Sequence, residues 1–406
     1  MMIHTYTLAN GLRIIHRDAP SEISHCGIVL NTGSRDEYPE EAGMAHFVEH
    51  MLFKGTHRRR AHHIASRMES VGGELNAYTT KEETFYYATF LGEYFPRAVE
   101  LLADMLFHSE FSPVQIDRER EVILDEINSY QDAPSELIYD DFENMLFEGH
   151  DLGHYILGAP ETLNRFTREQ ILQFVQRQYQ PSQMVFFSTG KTPFPKVVRQ
   201  IENHFAFSSA ALEPKKRIAP SASFLPRKER PRKNTAQAHV MMGFPAFSMH
   251  HPQRQALLLL SNILGGDGLN SRLNASLREK HGLVYEVESN VTLYTDTGLF
   301  AVYFAGDPQQ RERCIRLVRK EIGRLLQKEL TPMQLSLAKR QWKGQLAIAA
   351  EQSENYTLAM AKRFLHTSRY LSLEEMFARI DAITAGEMRA VAGDLFIAEP
   401  FELSYL

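Results

Sequence analysis

The chain has 406 residues and a net charge of −5; 43% of its residues are apolar and 23% charged. That length suits two domains of about 200 residues each, and the composition suits soluble globular cores. The charge balance gives no reason to expect nucleic acid or a membrane surface as partner, and the two distant cysteines, Cys26 and Cys314, exclude a disulfide framework and a cysteine metal cluster and point to a reducing, cytoplasmic compartment.

The opening "MMIHTYTLANGLRIIHR" lacks a basic segment followed by an apolar one, so no secretory signal is predicted. Within it, "YTLANGLRII" predicts two strands around an Asn10-Gly11 turn, and "HCGIVLNTG" predicts a third. "GMAHFVEHMLFKGT" then predicts a helix. A second helix, "HIASRMESV", stops at Gly72-Gly73. "ELNAYTTKEETFYYATF" alternates and is rich in Thr, Tyr and Phe, which predicts two adjoining strands. Ser112-Pro113 opens a long helix, and Thr167 with Gln170 has capping-box spacing for another. "SQMVFFSTG" returns to strand. From 208 to 234 Pro, Ser and Ala recur, and eight Lys or Arg lie between Lys215 and Lys233. This predicts an exposed, solvated linker; contact with an acidic partner is the alternative. Beyond it, "ALLLLSNIL" is too short to span a bilayer.

The second half resembles the first. "FSPVQIDREREVILDEI" and "LTPMQLSLAKRQWKGQL" share a cap-Pro-x-Gln start and a helical apolar pattern, and "TFYYATF" and "GLFAVYF" precede them. Setting Ser112 against Thr331 aligns Glu119 with Ala338 and Glu126 with Gln345. "HFVEHML" falls on "LLLSNIL", so His46 and His50 meet Leu258 and Asn262. The fold is accordingly read as α+β: two similar domains, each a mostly antiparallel sheet packed with helices. They span 1–210 and 235–406, with a linker at 211–234. A polar cluster retained in one copy alone is not a folding requirement.

That cluster is His46, Glu49 and His50. Residues three and four apart share a helical face, so two imidazoles can converge on one point with a carboxylate beside them. Neutral imidazole ligates Zn²⁺, and two protein ligands leave room for a third from elsewhere and a water. Zinc lowers the pKa of that water to about 7, and the carboxylate can accept its proton. With 17 His in the chain, H-x-x-E-H arises by chance in roughly one chain in twenty of this size. On an apolar helix the pattern means more, because a buried ionisable group needs a partner.

H-x-x-E-H is the inverzincin order. The chain resembles the pitrilysin-type metallopeptidases, which include insulysin and the mitochondrial processing peptidases. "LANGLRII", "GGELNAYTTKEETFYYATF" and "SRLNASLREKHGLVYEVES" carry the likeness along most of the chain. The resemblance implies a zinc endopeptidase acting on unfolded or short peptides inside an enclosed chamber, with Glu49 as base. It implies Glu126, 76 residues past His50, as third zinc ligand, and Glu119, seven residues earlier, as the group that steadies the site. Read without the His pair, Glu119, Glu121 and Glu126 are a solvated acidic face. The likeness further implies that Arg278 and Tyr285 grip substrate and stabilise an oxyanion; the bland alternative is a helix-end Arg and a core Tyr. Asn76 and Ala77 match positions that pair with an extended peptide on an exposed edge strand. Long members hold four such repeats and this chain has two, so a homodimer with composite sites is expected. A different partner chain, or a non-catalytic structural subunit of the same fold, are the alternatives.

Overall fold

The computed structural model describes residues 2–206, 213–221, 225–233 and 235–406. The end of the first expected domain (207–210) and linker residues 211, 212, 222–224 and 234 lie outside the described residues. In chain order the elements are β1 (Ile3–Thr7), β2 (Arg13–Asp18), β3 (Ile23–Leu30), α1 (Met44–Met51), α2 (Ala61–Glu69), β4 (Glu74–Thr79) and β5 (Thr84–Leu91). Then come α3 (Phe95–His108), α4 (Pro113–Gln131), α5 (Pro134–Leu146), α6 (Pro160–Leu163), α7 (Arg168–Gln178), β6 (Met184–Gly190) and α8 (Phe194–Phe205). The remainder is β7 (Lys228–Glu229), β8 (Ala238–Ala246), α9 (Arg254–Gly265), β9 (Val284–Leu293), β10 (Gly298–Gly306), α10 (Arg311–Gln327), α11 (Pro332–Glu351), α12 (Ser353–Thr367), α13 (Leu373–Ala382), α14 (Ala385–Phe396) and β11 (Phe401–Tyr405).

These elements form two compact units that interleave along the chain. Unit 1 holds Met1–Asn128, His154–Arg217 and Ala349–Tyr370; unit 2 holds Ser129–Gly153, Ile218–Ile348 and Leu371–Leu406. The chain changes unit within α4 and again within α11. Thus α5 belongs to unit 2 and α12 to unit 1, an exchange of which the sequence-based division at 211–234 carries no trace.

Unit 1 has a six-stranded sheet in the order β1-β2-β6-β3-β5-β4. Only the β2–β6 pairing is parallel. The β1–β2 hairpin turns at Gly11, whose φ of +89° suits a residue without a Cβ. Strand side chains alternate between two apolar faces, as period-two sequence requires. Ile14, Ile28, Tyr86 and Phe186 face a core shared with α1 and α3. Ile15, Val29, Phe85 and Phe187 face Met360, Ala361, Phe364 and Leu365 of α12. The last carbonyls of α12 accept from Arg13, at 2.9 Å for Leu365 O, which places a cation at the negative end of the helix dipole.

Unit 2 repeats the plan. Its sheet runs β7-β11-β8-β10-β9, and β7–β11 is again the one parallel pair. Strands β7 to β11 therefore answer β2 to β6 in order. Helix α5 is tied to this sheet by Tyr139 donating to Glu288 at 2.7 Å and Tyr405 donating to Asp141 at 2.6 Å. Gly243 in β8 makes room for Phe142 of α5: an added Cβ would lie 2.8 Å from the ring. Among the described residues no helix is long and apolar enough to cross a membrane. Arg217 departs from the expected solvated linker. Its guanidinium bonds to Asp36 Oδ2 at 2.7 Å and lies 3.6 Å from Glu82 Oε1, because those two buried carboxylates need a cation.

Candidate metal centre

Helix α1 starts at Gly43, which takes a left-handed φ of +94°. Its first amides are capped by a distant side chain: Gly43 N and Ala45 N donate to the buried Glu37 carboxylate at 2.9 and 2.7 Å. Met44, Phe47, Val48 and Met51 point into the core of unit 1. The 3.6-residue period then turns His46, Glu49 and His50 to the other face. Helix α4 buries Ile116 and Ile123 and carries Glu119 and Glu126 two turns apart.

The two helices bring the expected ligands together. His46 Nε2 and His50 Nε2 lie 3.8 and 3.6 Å from Glu126 Oε2. One ligand atom from each of His46, His50 and Glu126 falls within 4.8 Å of the others. Donors around tetrahedral zinc stand about 3.3 Å apart, so the set fits such an ion with small rotations. His46 supports the fit. It is 8% exposed, its Nδ1 is buried without a hydrogen-bond partner among the described residues, and its Nε2 is beyond hydrogen-bond reach of Glu126. A buried imidazole held by no hydrogen bond calls for a ligand. Burial, reinforced by His50, pushes its pKa down to about 3, leaving the neutral form that coordinates metals.

His50 is oriented from behind. Its Nδ1 lies 2.8 Å from Glu119 Oε1, and Lys54 Nζ lies 2.8 Å from Glu119 Oε2. Burial would raise the Glu119 carboxyl, but the hydrogen bonds to His50 and Lys54 outweigh it and hold it below the usual range. As an anion it accepts the Nδ1 proton and leaves Nε2 free to coordinate. Glu49 is 8% exposed and accepts from Thr79 Oγ1 at 2.5 Å. Burial raises its pKa, partly offset by that hydrogen bond. Neither Lys54 nor Thr79 was picked out from the sequence, since a single Lys or Thr carries no pattern.

Asn76 (exposed) and Ala77 (half-buried) lie on β4, the edge strand of the unit 1 sheet. Arg278 and Tyr285 belong to unit 2. Arg278 is exposed in a short π-helical turn, Asn274–Glu279, and Tyr285 is 75% exposed at the start of β9. The exposure removes the bland alternative of a core tyrosine.

A histidine pair and three carboxylates on packed helices, beside the edge strand of a sheet, form a group able to hold a metal ion on a duplicated α+β scaffold. Residues 13–160 match the Insulinase (Peptidase family M16) domain, and residues 165–342 match the Peptidase M16 inactive domain. An uncharacterised zinc protease of Streptomyces coelicolor is 36% identical over 97% of this chain and 87% of its own. One from Bacillus subtilis is 33% identical over 97% and 96%. A Helicobacter pylori protease superposes with a TM-score of 0.91 at 22% identity, covering 100% of this chain and 99% of its own. A Pseudomonas fluorescens structure described as a peptidase M16 inactive domain gives 0.90 at 19%, covering 100% and 98%. The chain belongs to peptidase family M16.

Proposed function

We propose that this protein is a zinc-dependent endopeptidase that cuts unfolded or short peptides. The convergence of His46, His50 and Glu126 beside Glu49 carries this reading. These three side chains would hold Zn²⁺, which when bound acts as a Lewis acid and brings the pKa of water to about 7. Glu49 takes a proton from the attacking water on its carboxylate. It returns that proton to the leaving nitrogen as the peptide C–N bond breaks, so water is divided between the two products. Glu119 keeps His50 in the coordinating tautomer. Asn76 and Ala77 would hold an extended peptide by main-chain hydrogen bonds along β4. Arg278 and Tyr285 supply donors to the developing oxyanion.

The working unit in this reading is a homodimer, with unit 1 of each copy completed by Arg278 and Tyr285 of the other around an enclosed chamber. Two free, buried cysteines suit a reducing, cytoplasmic setting. The test is digestion of a peptide library by zinc-loaded protein with and without chelator, with cut sites read by mass spectrometry. Cuts should vanish on chelation and return with zinc. Cleavage indifferent to chelator rules out the zinc mechanism. A chain that takes up no zinc when zinc is supplied and cuts nothing, alone or with any partner, is a structural subunit instead.

A further inference from the structure

Glu49 has one hydrogen-bond partner among the described residues, the Thr79 hydroxyl. Thr79 owes its own place to other contacts. It ends β4, paired with Thr84 of β5. The four residues of the turn that follows, Thr80 to Glu83, are each pinned. Thr80 Oγ1 donates to Glu83 Oε2 at 2.7 Å, and Lys81 bonds to His154 O. Arg35 donates to Glu82 at 2.5 Å. Glu83 is held by Lys362 Nζ at 2.9 Å and His366 Nε2 at 2.6 Å, both from α12. The Thr79 side chain is β-branched, so its rotamer is stiff once the strand is fixed. A rigid donor facing a single carboxylate oxygen imposes direction on the carboxylate, not the reverse.

We propose that Thr79 is a positioning residue for the reaction: its hydroxyl engages Glu49 Oε2 and so presents Oε1 to the reacting water. The proposal rests on the reading of Glu49 as the base. It adds that one strand performs two tasks. Asn76 and Ala77 sit three and two residues before Thr79 on the same edge strand. The strand that receives the peptide therefore also aims the base, and a peptide docked along β4 meets Oε1 at a fixed position along the strand. Removing the hydroxyl should spoil the chemical step and leave docking intact, because the main chain of β4 is unchanged. A misaimed reacting group costs on the order of 10²-fold.

The experiment compares Thr79→Val, Thr79→Ser and Glu49→Gln in the zinc-loaded full-length chain, using a short internally quenched peptide. Thr79→Val should lower kcat about 10- to 100-fold, with KM, zinc content and thermal midpoint unchanged. Thr79→Ser, which keeps the hydroxyl, should recover most of kcat. A crystal structure of metal-free Thr79→Val should show the Glu49 carboxylate turned away from its present direction. Wild-type kcat in Thr79→Val, an unmoved Glu49, a loss confined to KM or zinc, or a serine variant as poor as valine would each overturn the proposal. Glu49→Gln separates the two levels. An active Glu49→Gln removes the base reading itself; an inactive Glu49→Gln beside a fully active Thr79→Val removes the positioning role alone.

Discussion

The α1–α4 pair in unit 1 and the α9–α11 pair in unit 2 are the same piece of scaffold with different contents. In unit 1 the facing positions are His46, His50, Glu119 and Glu126. In unit 2 the aligned residues are Leu258, Asn262, Ala338 and Gln345, and Asn262 Nδ2 donates to Gln345 Oε1 at 2.8 Å. A neutral amide pair thus stands where an imidazole faces a carboxylate 3.6 Å away. Ser261 answers Glu49 and bonds to Ser289 of edge strand β9 at 3.1 Å, as Glu49 bonds to Thr79 of edge strand β4. Unit 2 closes these positions with self-satisfied neutral groups. Unit 1 leaves them with a half-satisfied cluster of titratable groups, a costly arrangement unless something binds. The difference is one of task, since both cores close without the cluster.

The comparison breaks most sharply at the ligands. His50→Ala and Glu126→Gln should each lose most bound zinc and with it the peptidase activity, measured by metal analysis and digestion. Stoichiometric zinc in both variants would mean the ion binds elsewhere. Glu49→Gln should keep its zinc while hydrolysis falls by about 10²- to 10⁴-fold; loss of the metal would instead make Glu49 a ligand. The proposed homodimer, in which each copy completes the other's site, predicts complementation. Glu49→Gln and Tyr285→Phe should each be nearly inactive alone. Random pairing makes about half the dimers hybrid, each with one intact site of two, so roughly a quarter of wild-type activity should return on mixing. No recovery after verified chain exchange would confine Tyr285 to its own chain or exclude it.

Much of this was legible in the sequence because it depends on local period. The His46-Glu49-His50 face follows from helical spacing, the β4–β5 pair from alternation, and the Thr167–Gln170 capping box is present as expected, with Gln170 N to Thr167 Oγ1 at 3.3 Å. The exchange of α5 and α12 was not legible. An amphipathic helix announces that one face is apolar, but not which sheet will cover it. The linker was misread at Arg217 for a related reason. A charge run is usually solvated, and only the fold reveals the buried Asp36 carboxylate that one of its members pairs with.

The exchanged helices extend the comparison to stability. In each unit the borrowed helix clamps the turn between the last two strands of the sheet edge. In unit 2, Tyr294 in the β9–β10 turn donates to Glu143 of α5. In unit 1, Glu83 in the β4–β5 turn meets Lys362 and His366 of α12. Burial would raise the Glu83 carboxyl, but the His366 hydrogen bond and the Lys362 charge hold it at about 2 instead of its ordinary 4.5. Its folded value is depressed, so its contribution is complete above about 4.5 and is lost as pH falls toward 2. That contribution is at most about 3 kcal/mol. Urea unfolding of wild type and Glu83→Gln should therefore differ at pH 7, with the gap closing as pH falls from 4 toward 2. Hydrogen exchange at about pH 3 should open the β4–β5 turn before the β9–β10 turn; the reverse order would count against the charged clamp.

The smallest expected effect lies at the amide pair itself. Asn262 and Gln345 are both half-buried and uncharged. Truncating Asn262 to Ala leaves Gln345 with access to water, so the loss is the net value of one neutral hydrogen bond, about 0.5–1.5 kcal/mol. Truncating His50 leaves Glu119 and Lys54 behind in a partly buried place. Glu119 loses one of the partners that hold it charged, which is a larger penalty. Denaturation of metal-free His50→Ala and Asn262→Ala should rank them in that order, while Asn262→Ala keeps wild-type zinc content and peptide cleavage. If Asn262→Ala were the more damaging of the two, or if it lowered zinc content, the amide pair would be more than a neutral closure of the duplicated position. The two helix pairs would then share a task and not merely a scaffold.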